Sequence, residues 1–221
     1  MLFRSSEAAD FKMRIFNADG SEAMMCGNGI RCVGKYVYDK GYTDKTRLSI
    51  ETLSGIKTLW LETSGNKVRY ATVDMGTVSG QPDMELDISG EKIVCVPVCV
   101  GNPHAVIFTP DADRSPVDSL GPLIEKNEAF PDRVNVEFVS PVSTDSIRMR
   151  VWERGSGITM ACGTGACASA FAAVSKGYFN FEEPISVILD GGILTVTVKK
   201  DGRVFMQGPA QTVYEGDVEE C

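Results

Sequence analysis

Histidine is almost missing from this chain: His104 is the only one in 221 residues. That excludes a His–His catalytic pair and any zinc site with two or more His ligands. Cysteine is present seven times, at 26, 32, 95, 99, 162, 167 and 221, but never in Cys-x-x-Cys spacing. A zinc ribbon and a thioredoxin-type motif are therefore both absent, and no metal is expected. The odd count, beside a start (Met1-Leu2-Phe3-Arg4-Ser5-Ser6-Glu7) without a charged-then-apolar leader, reads as free thiols in a reducing compartment. No apolar run reaches the ~18–20 residues of a membrane span. Basic residues are the scarcer sign, 22 Lys+Arg against 30 Asp+Glu, for a formal charge of −8. A nucleic-acid binder would carry a basic patch to neutralise phosphates. The composition, 43% hydrophobic and 24% charged, is that of an ordinary folded chain. The expectation is a soluble cytoplasmic protein with neither nucleic acid nor membrane as partner.

The chain repeats itself. Cys26-Gly27-Asn28-Gly29 opens a segment that closes on Lys40-Gly41, and Cys162-Gly163-Thr164-Gly165 opens one that closes on Lys176-Gly177. Each closing glycine follows its cysteine by 15 residues, and the two cysteines lie 136 residues apart. The flanks repeat as well, since Leu48–Ile56 resembles Ile185–Ile193. Phe11–Ile15 and Ile147–Val151 alternate apolar and basic residues ahead of the two motifs, as half-buried strands do. After each motif comes a helix of roughly ten residues ending on a glycine suited to a left-handed cap. The second, from Ala166 to Val174, is apolar almost all round and so is expected to be buried on every side. The architecture predicted is α+β, with two pseudo-symmetric halves. Each is a curved, mostly antiparallel sheet wrapped round a central helix, the wrapping strands lying in Thr58–Val73 and Ile193–Met206. The first half is placed at 1–74, joined by 211–221, and the second at 75–210. Pro82, Pro116, Pro122, Pro131 and Pro141 are expected to punctuate loops.

A cysteine at a helix start has chemical meaning. The helix N-terminus presents unpaired N–H groups and about half a positive charge, which favours a thiolate. Neighbouring glycines let backbone N–H groups approach an anion closely. One such motif is equally well a structural turn. Two in register suggest a pair facing each other across a cleft. One thiolate could then remove a proton from carbon while a thiol on the opposite face returns one, with the helix termini holding the carboxylate and the developing carbanion.

At this point the sequence resembles the diaminopimelate epimerase family. The matching stretches are Phe16–Glu22, the Cys26 turn, Gly101-Asn102-Pro103-His104, Arg133-Val134-Asn135, Glu153-Arg154-Gly155 and Ala161–Ala166. In the related proline racemases a His typically follows the first Cys-Gly, where this chain has Asn28. The resemblance implies an epimerase of LL- and meso-diaminopimelate that needs no cofactor and forms a homodimer. It lends Cys26 and Cys162 the acid/base roles. Gly27, Asn28, Gly163 and Thr164 would surround the reacting carboxylate. Asn17, Asn102, Asn135 and Arg154 would read the distal amino-acid head, where Arg suits a carboxylate. Glu153 would lie near the α-ammonium and the second cysteine, and His104 would tune the first. Read alone, Asn17 and Asp19 also fit turn formers, Asn102 a loop residue, His104 a satisfied polar group and Glu153-Arg154 a surface ion pair. Cys32 and Cys167 are expected in the core.

The family normally begins roughly fifty residues earlier, so the expectation is an incomplete first half, an unpaired sheet edge there and poor activity. The alternatives are a racemase of another amino acid, an inactive truncated relative and, more remotely, a thiol redox protein.

Overall fold

A computed structural model of the protein describes residues 2–16, 20 and 22–216; Asn17, Asp19 and Cys221 lie outside them. In chain order the elements are β1 (Leu2–Ser5), β2 (Phe11–Phe16), β3 (Glu22–Ala23), α1 (Gly27–Asp39), β4 (Arg47–Thr52), β5 (Gly55–Ser64) and β6 (Lys67–Thr77). Next come β7 (Ser79–Gly80), β8 (Met84–Ile88), β9 (Glu91–Cys99), β10 (Pro103–Phe108), a short 3-10 turn, α2 (Val117–Glu125) and β11 (Asn135–Pro141). The chain continues with β12 (Ser146–Glu153), β13 (Gly157–Ile158), α3 (Gly163–Ser175), β14 (Pro184–Leu189), β15 (Gly192–Val198) and β16 (Arg203–Pro209). No helix among the described residues is long and apolar enough to cross a membrane.

The two expected helices form as the repeat requires. Cys26 and Cys162 are their N-caps, both with extended backbone, and each sulfur accepts from the N–H three residues on, Gly29 and Gly165, at 3.3 Å. Both helices close identically. Gly41 and Gly177 adopt left-handed φ of 75° and 77°. Their N–H groups donate to Tyr38 and Val174, while those of Tyr42 and Tyr178 reach back to Val37 and Ala173. This six-to-one and five-to-two pairing satisfies carbonyls that a helix end leaves open.

The strands hydrogen-bond in the order β1-β2-β4-β5-β6-β16-β15-β14-β12-β11-β10-β9-β7, with β3, β13 and β8 paired to β2, β12 and β9. Pairing is antiparallel except at β2–β4, β12–β14 and β10–β11. The first two exceptions are the same step in the two halves. Residue 74 falls inside β6, and β16 sits between β6 and β15, so the sheet runs unbroken from one half to the other. One apolar cluster, including Ile30, Leu59, Ile147, Ala170, Val196 and Met206, joins both helices to the sheet. A second, including Ile107, Ile124 and Phe138, lies under α2.

The halves differ in how fully they cover their helices. Ten of the thirteen residues of α3 are buried, against six of thirteen in α1. Cys32 and Tyr36 of α1 are exposed, whereas Ala168 and Ala172, 136 residues on, are buried completely. Strands β9 and β10 pack on α3, and nothing equivalent lies over α1 among the described residues. Cys32 is therefore not a core residue, contrary to expectation, while Cys167 is. Pro122 also departs from expectation, since it lies within α2. It has no N–H to give the carbonyl of Asp118, which costs little because Asp118 is exposed. Pro141 is the last residue of β11.

Candidate active site

The sequence repeat brings the starts of α1 and α3 against each other. A Cβ placed on Gly163 would lie 3.4 Å from the Cα of Gly27, and Met206 fills the space beside both. A side chain at either position would press on Met206, whose terminal methyl lies 2.8 Å from a Cβ built on Gly27. The Asn28 amide donates across the contact to the carbonyl of Ala161 at 3.4 Å. Two bundles of unpaired N–H groups and two positive dipole ends thus converge where two thiols sit. Cys26 is half-buried and Cys162 is 6% exposed. A separate groove of about 680 Å³ runs along α1, β6 and the segment 209–215, lined by Lys35, Asp39, Arg69 and Tyr70 among others. It does not reach either motif cysteine.

Around Cys162 the polar residues form a chain. Strand β10 carries His104 beside Glu137 of the parallel strand β11, and His104 Nδ1 lies 2.7 Å from Glu137 Oε1. His104 Nε2 lies 3.1 Å from Asn102 Oδ1. The other end of the Asn102 amide donates to Thr164 Oγ1 at 3.3 Å, and that hydroxyl is 3.5 Å from Cys162 Sγ. Four expected site residues, Asn102, His104, Cys162 and Thr164, are therefore brought together. Glu153, at the end of β12, accepts from the hydroxyl of Thr159.

The distal residues meet in a different way. Asn135 Nδ2 donates to the carbonyl of Pro103, and its Oδ1 accepts from the Arg154 backbone N–H at 3.0 Å. Its amide thus ties the start of β10 to the turn after β12. The Arg154 guanidinium is exposed and donates to the carbonyl of Asp132 at 2.8 Å. Neither ring nitrogen of His104 is directed to Cys26 in this structure; Glu137 and Asn102 occupy both.

Burial governs the charges. The Cys162 thiol is pushed up, first by burial and then by Glu153 and Glu137, against smaller opposing effects from Thr164 and the Gly165 N–H. The helix start was expected to lower it; removal from water outweighs that effect here. Glu153 is raised by burial, with Glu137 adding to it. Arg31 is lowered by burial, a cation that is only 7% exposed. Its guanidinium donates to the carbonyl of Gly27 at 3.1 Å and to Asn28 Oδ1 at 3.2 Å, and so fixes Asn28.

Sequence reasoning missed Glu137, Arg31 and Glu125. Each had a signal. Glu137 is a lone acid in the strand Asn135-Val-Glu-Phe-Val139, and Arg31 falls among the apolar positions of α1. Glu125, 3% exposed, accepts from the Trp152 indole and from the Gly155 N–H, and so holds the turn that carries Arg154.

A duplicated sheet with a helix in each half defines a known class of fold. It is shared with a Bacillus anthracis phenazine biosynthesis protein of the PhzF family, at a TM-score of 0.74 and 18% identity over 92% of this chain and 79% of that one. It is shared too with a hydroxyproline epimerase from Agrobacterium vitis solved with trans-4-hydroxy-L-proline, at a TM-score of 0.73 and 16% identity over 92% and 69%. Sequence narrows the class. The diaminopimelate epimerase model matches residues 1–80 and 96–213. The diaminopimelate epimerase of Parabacteroides distasonis is 51% identical over 218 residues, 98% of this chain and 80% of that one. The chain belongs to the diaminopimelate epimerase family.

Proposed function

We propose that this protein interconverts LL- and meso-diaminopimelate by proton transfer between Cys26 and Cys162, without a cofactor. The observation that carries the reading is the meeting of two helix N-termini, each capped by a thiol in the same geometry. In one direction the Cys26 thiolate takes the α-hydrogen as a proton, and the electron pair stays on the α-carbon, spread into the carboxylate. The Cys162 thiol then gives its proton to the opposite face, which inverts the centre and leaves Cys162 as the thiolate. The reverse direction exchanges the two roles. Burial holds Cys162 as a thiol at rest, which suits it to be the acid of the first turnover. The N–H groups at the starts of α1 and α3, with Asn28 and Thr164, surround the reacting carboxylate and meet its growing charge. Glu153 is assigned to face the α-ammonium. Asn17, Asn135 and Arg154 are assigned to the distal head, with Asn135 and Arg154 exchanging their present backbone partners for the substrate; Asn102, both ends of whose amide are taken by His104 and Thr164, stays beside Cys162.

Family membership is the ground for reading the protein as a cytoplasmic homodimer whose partner is this small molecule. Light scattering at twice the chain mass tests the dimer. The reading of the site is tested by Cys26→Ala and Cys162→Ala. Each is expected to lose epimerisation while remaining folded, and turnover retained in either variant refutes it.

A further inference from the structure

Glu137 has no part in the proton transfers just described, yet it is buried completely, and its Oε2 has no hydrogen-bond partner among the described residues. Leaving a carboxylate oxygen buried and unpaired destabilises a fold. The position is nonetheless built for it. A side chain on Gly165, in the first turn of α3, would come within 2.7 Å of Glu137 Oε1, so the helix start that carries Cys162 is shaped around this carboxylate.

The hydrogen bonds leading away from Glu137 have a direction. The Asn102 amide nitrogen donates to Thr164 Oγ1, so its oxygen faces His104 Nε2. An amide oxygen only accepts, so Nε2 carries a hydrogen. Nδ1 then shares its proton with Glu137 Oε1, 2.7 Å away. Thr164 Oγ1 already accepts from Asn102, which leaves its own hydrogen free to point at Cys162 Sγ. We infer that Glu137 is a positioning residue which, through His104, Asn102 and Thr164, aims a hydroxyl hydrogen at the Cys162 sulfur and so favours the thiolate formed there during turnover. The inference rests on the role proposed above for Cys162.

Without the carboxylate the ring loses its second hydrogen. The amide nitrogen of a glutamine at 137 donates to a bare Nδ1, Nε2 keeps its hydrogen, and Asn102 and Thr164 keep their direction. The chain then starts from a neutral ring, and the hydrogen bond that Thr164 offers the Cys162 sulfur weakens. That loss of charge assistance in the transition state lowers kcat about 10-fold. The reverse reaction crosses the same transition state and slows equally. KM stays within about twofold, because the substrate carboxylate keeps its N–H donors.

His104 is the only histidine, so ¹⁵N-histidine labelling makes its two ring nitrogens directly readable. In the wild-type protein both should carry hydrogen. A bare Nε2 there overturns the inference, and no variant is needed to see it. In Glu137→Gln the expected result is a bare Nδ1 together with the fall in kcat. Unchanged kcat, or an Nδ1 that still carries hydrogen, also overturns it. Thr164→Val should slow turnover, and adding Glu137→Gln to it should slow it no further; an additive loss shows that Glu137 does not act through Thr164. If Cys162→Ala keeps turnover, the two-base reading fails, whereas the ring signals still report on Glu137 by themselves.

Discussion

Substituting alanine for Gly165 should damage the site and the fold together, because the new methyl has no room. It would sit 2.7 Å from Glu137 Oε1, 3.2 Å from Cys162 Sγ and 3.3 Å from Cys162 Cβ. Neither wall can retreat into solvent, since Glu137 is fully buried and Cys162 is 6% exposed. Overpacking of this kind costs about 1–3 kcal/mol. Displacing Glu137 also breaks its hydrogen bond to His104, which a charge on either partner makes worth about 1.5–3 kcal/mol. Helix propensity returns at most about 1 kcal/mol for Gly→Ala. The net loss is about 2–5 kcal/mol, which for a domain of this size lowers Tm by about 4–20 °C. Differential scanning calorimetry at pH 7 measures it, and α-proton exchange on the folded protein reports the site. A Gly165→Ala variant with wild-type Tm and wild-type exchange would refute the packing on which both estimates rest.

Acid titration probes a second contact. Asp10 is held down at about 2 by its hydrogen bond from Lys45, and next by the Ser49 backbone N–H. A carboxylate lowered in the folded state stabilises above its unfolded value of 3.8 and loses that contribution as pH falls towards 2. The Tm of Asp10→Asn should therefore trail wild type at pH 7, by about 1–4 °C for a pair this exposed, and the gap should close by pH 2. A gap that persists at pH 2 contradicts the assignment. Thiol mapping separates the cysteines. At pH 8, iodoacetamide should reach the exposed Cys32 and Cys99 at least about tenfold faster than Cys95, Cys162 and Cys167. Burial shields those three and pushes the Cys95 and Cys167 thiols up to about 11 and 12. Equal labelling of Cys32 and Cys167 would contradict the difference in their burial.

Much of this molecule is legible in its repeat. A motif seen twice, with its closing glycine at the same distance, locates both helices, both N-caps and the flanking strands. Local chemistry decides those features, since a helix start needs a capping acceptor and a helix end needs a left-handed residue. What depends on distant neighbours is harder to read. Cys32 and Ala168 occupy the same place in their helices, and only the strands packed above α3 bury the second while the first is exposed. Glu137 looks like one acid among many, because its partner His104 lies on another strand and meets it only through the β10–β11 register. Asn135 and Arg154 invite a reading by their side chains, yet both are held by backbone groups that no motif displays. A helix start by itself favours a lowered thiol, but at Cys162 burial, a tertiary property, opposes the dipole and outweighs it.

The central claim is that two different groups move the proton. The most direct test is a brief incubation of LL-diaminopimelate with the protein in deuterium oxide, stopped at low conversion and read by proton NMR and mass spectrometry. A thiol that has exchanged with solvent delivers deuterium to the opposite face. The meso product should therefore carry one deuterium at the inverted carbon, while the remaining LL substrate keeps its α-hydrogen. Meso product that retains the original hydrogen, or deuterium entering the LL pool as fast as product forms, would show a single base working on both faces and would contradict the pairing of Cys26 with Cys162.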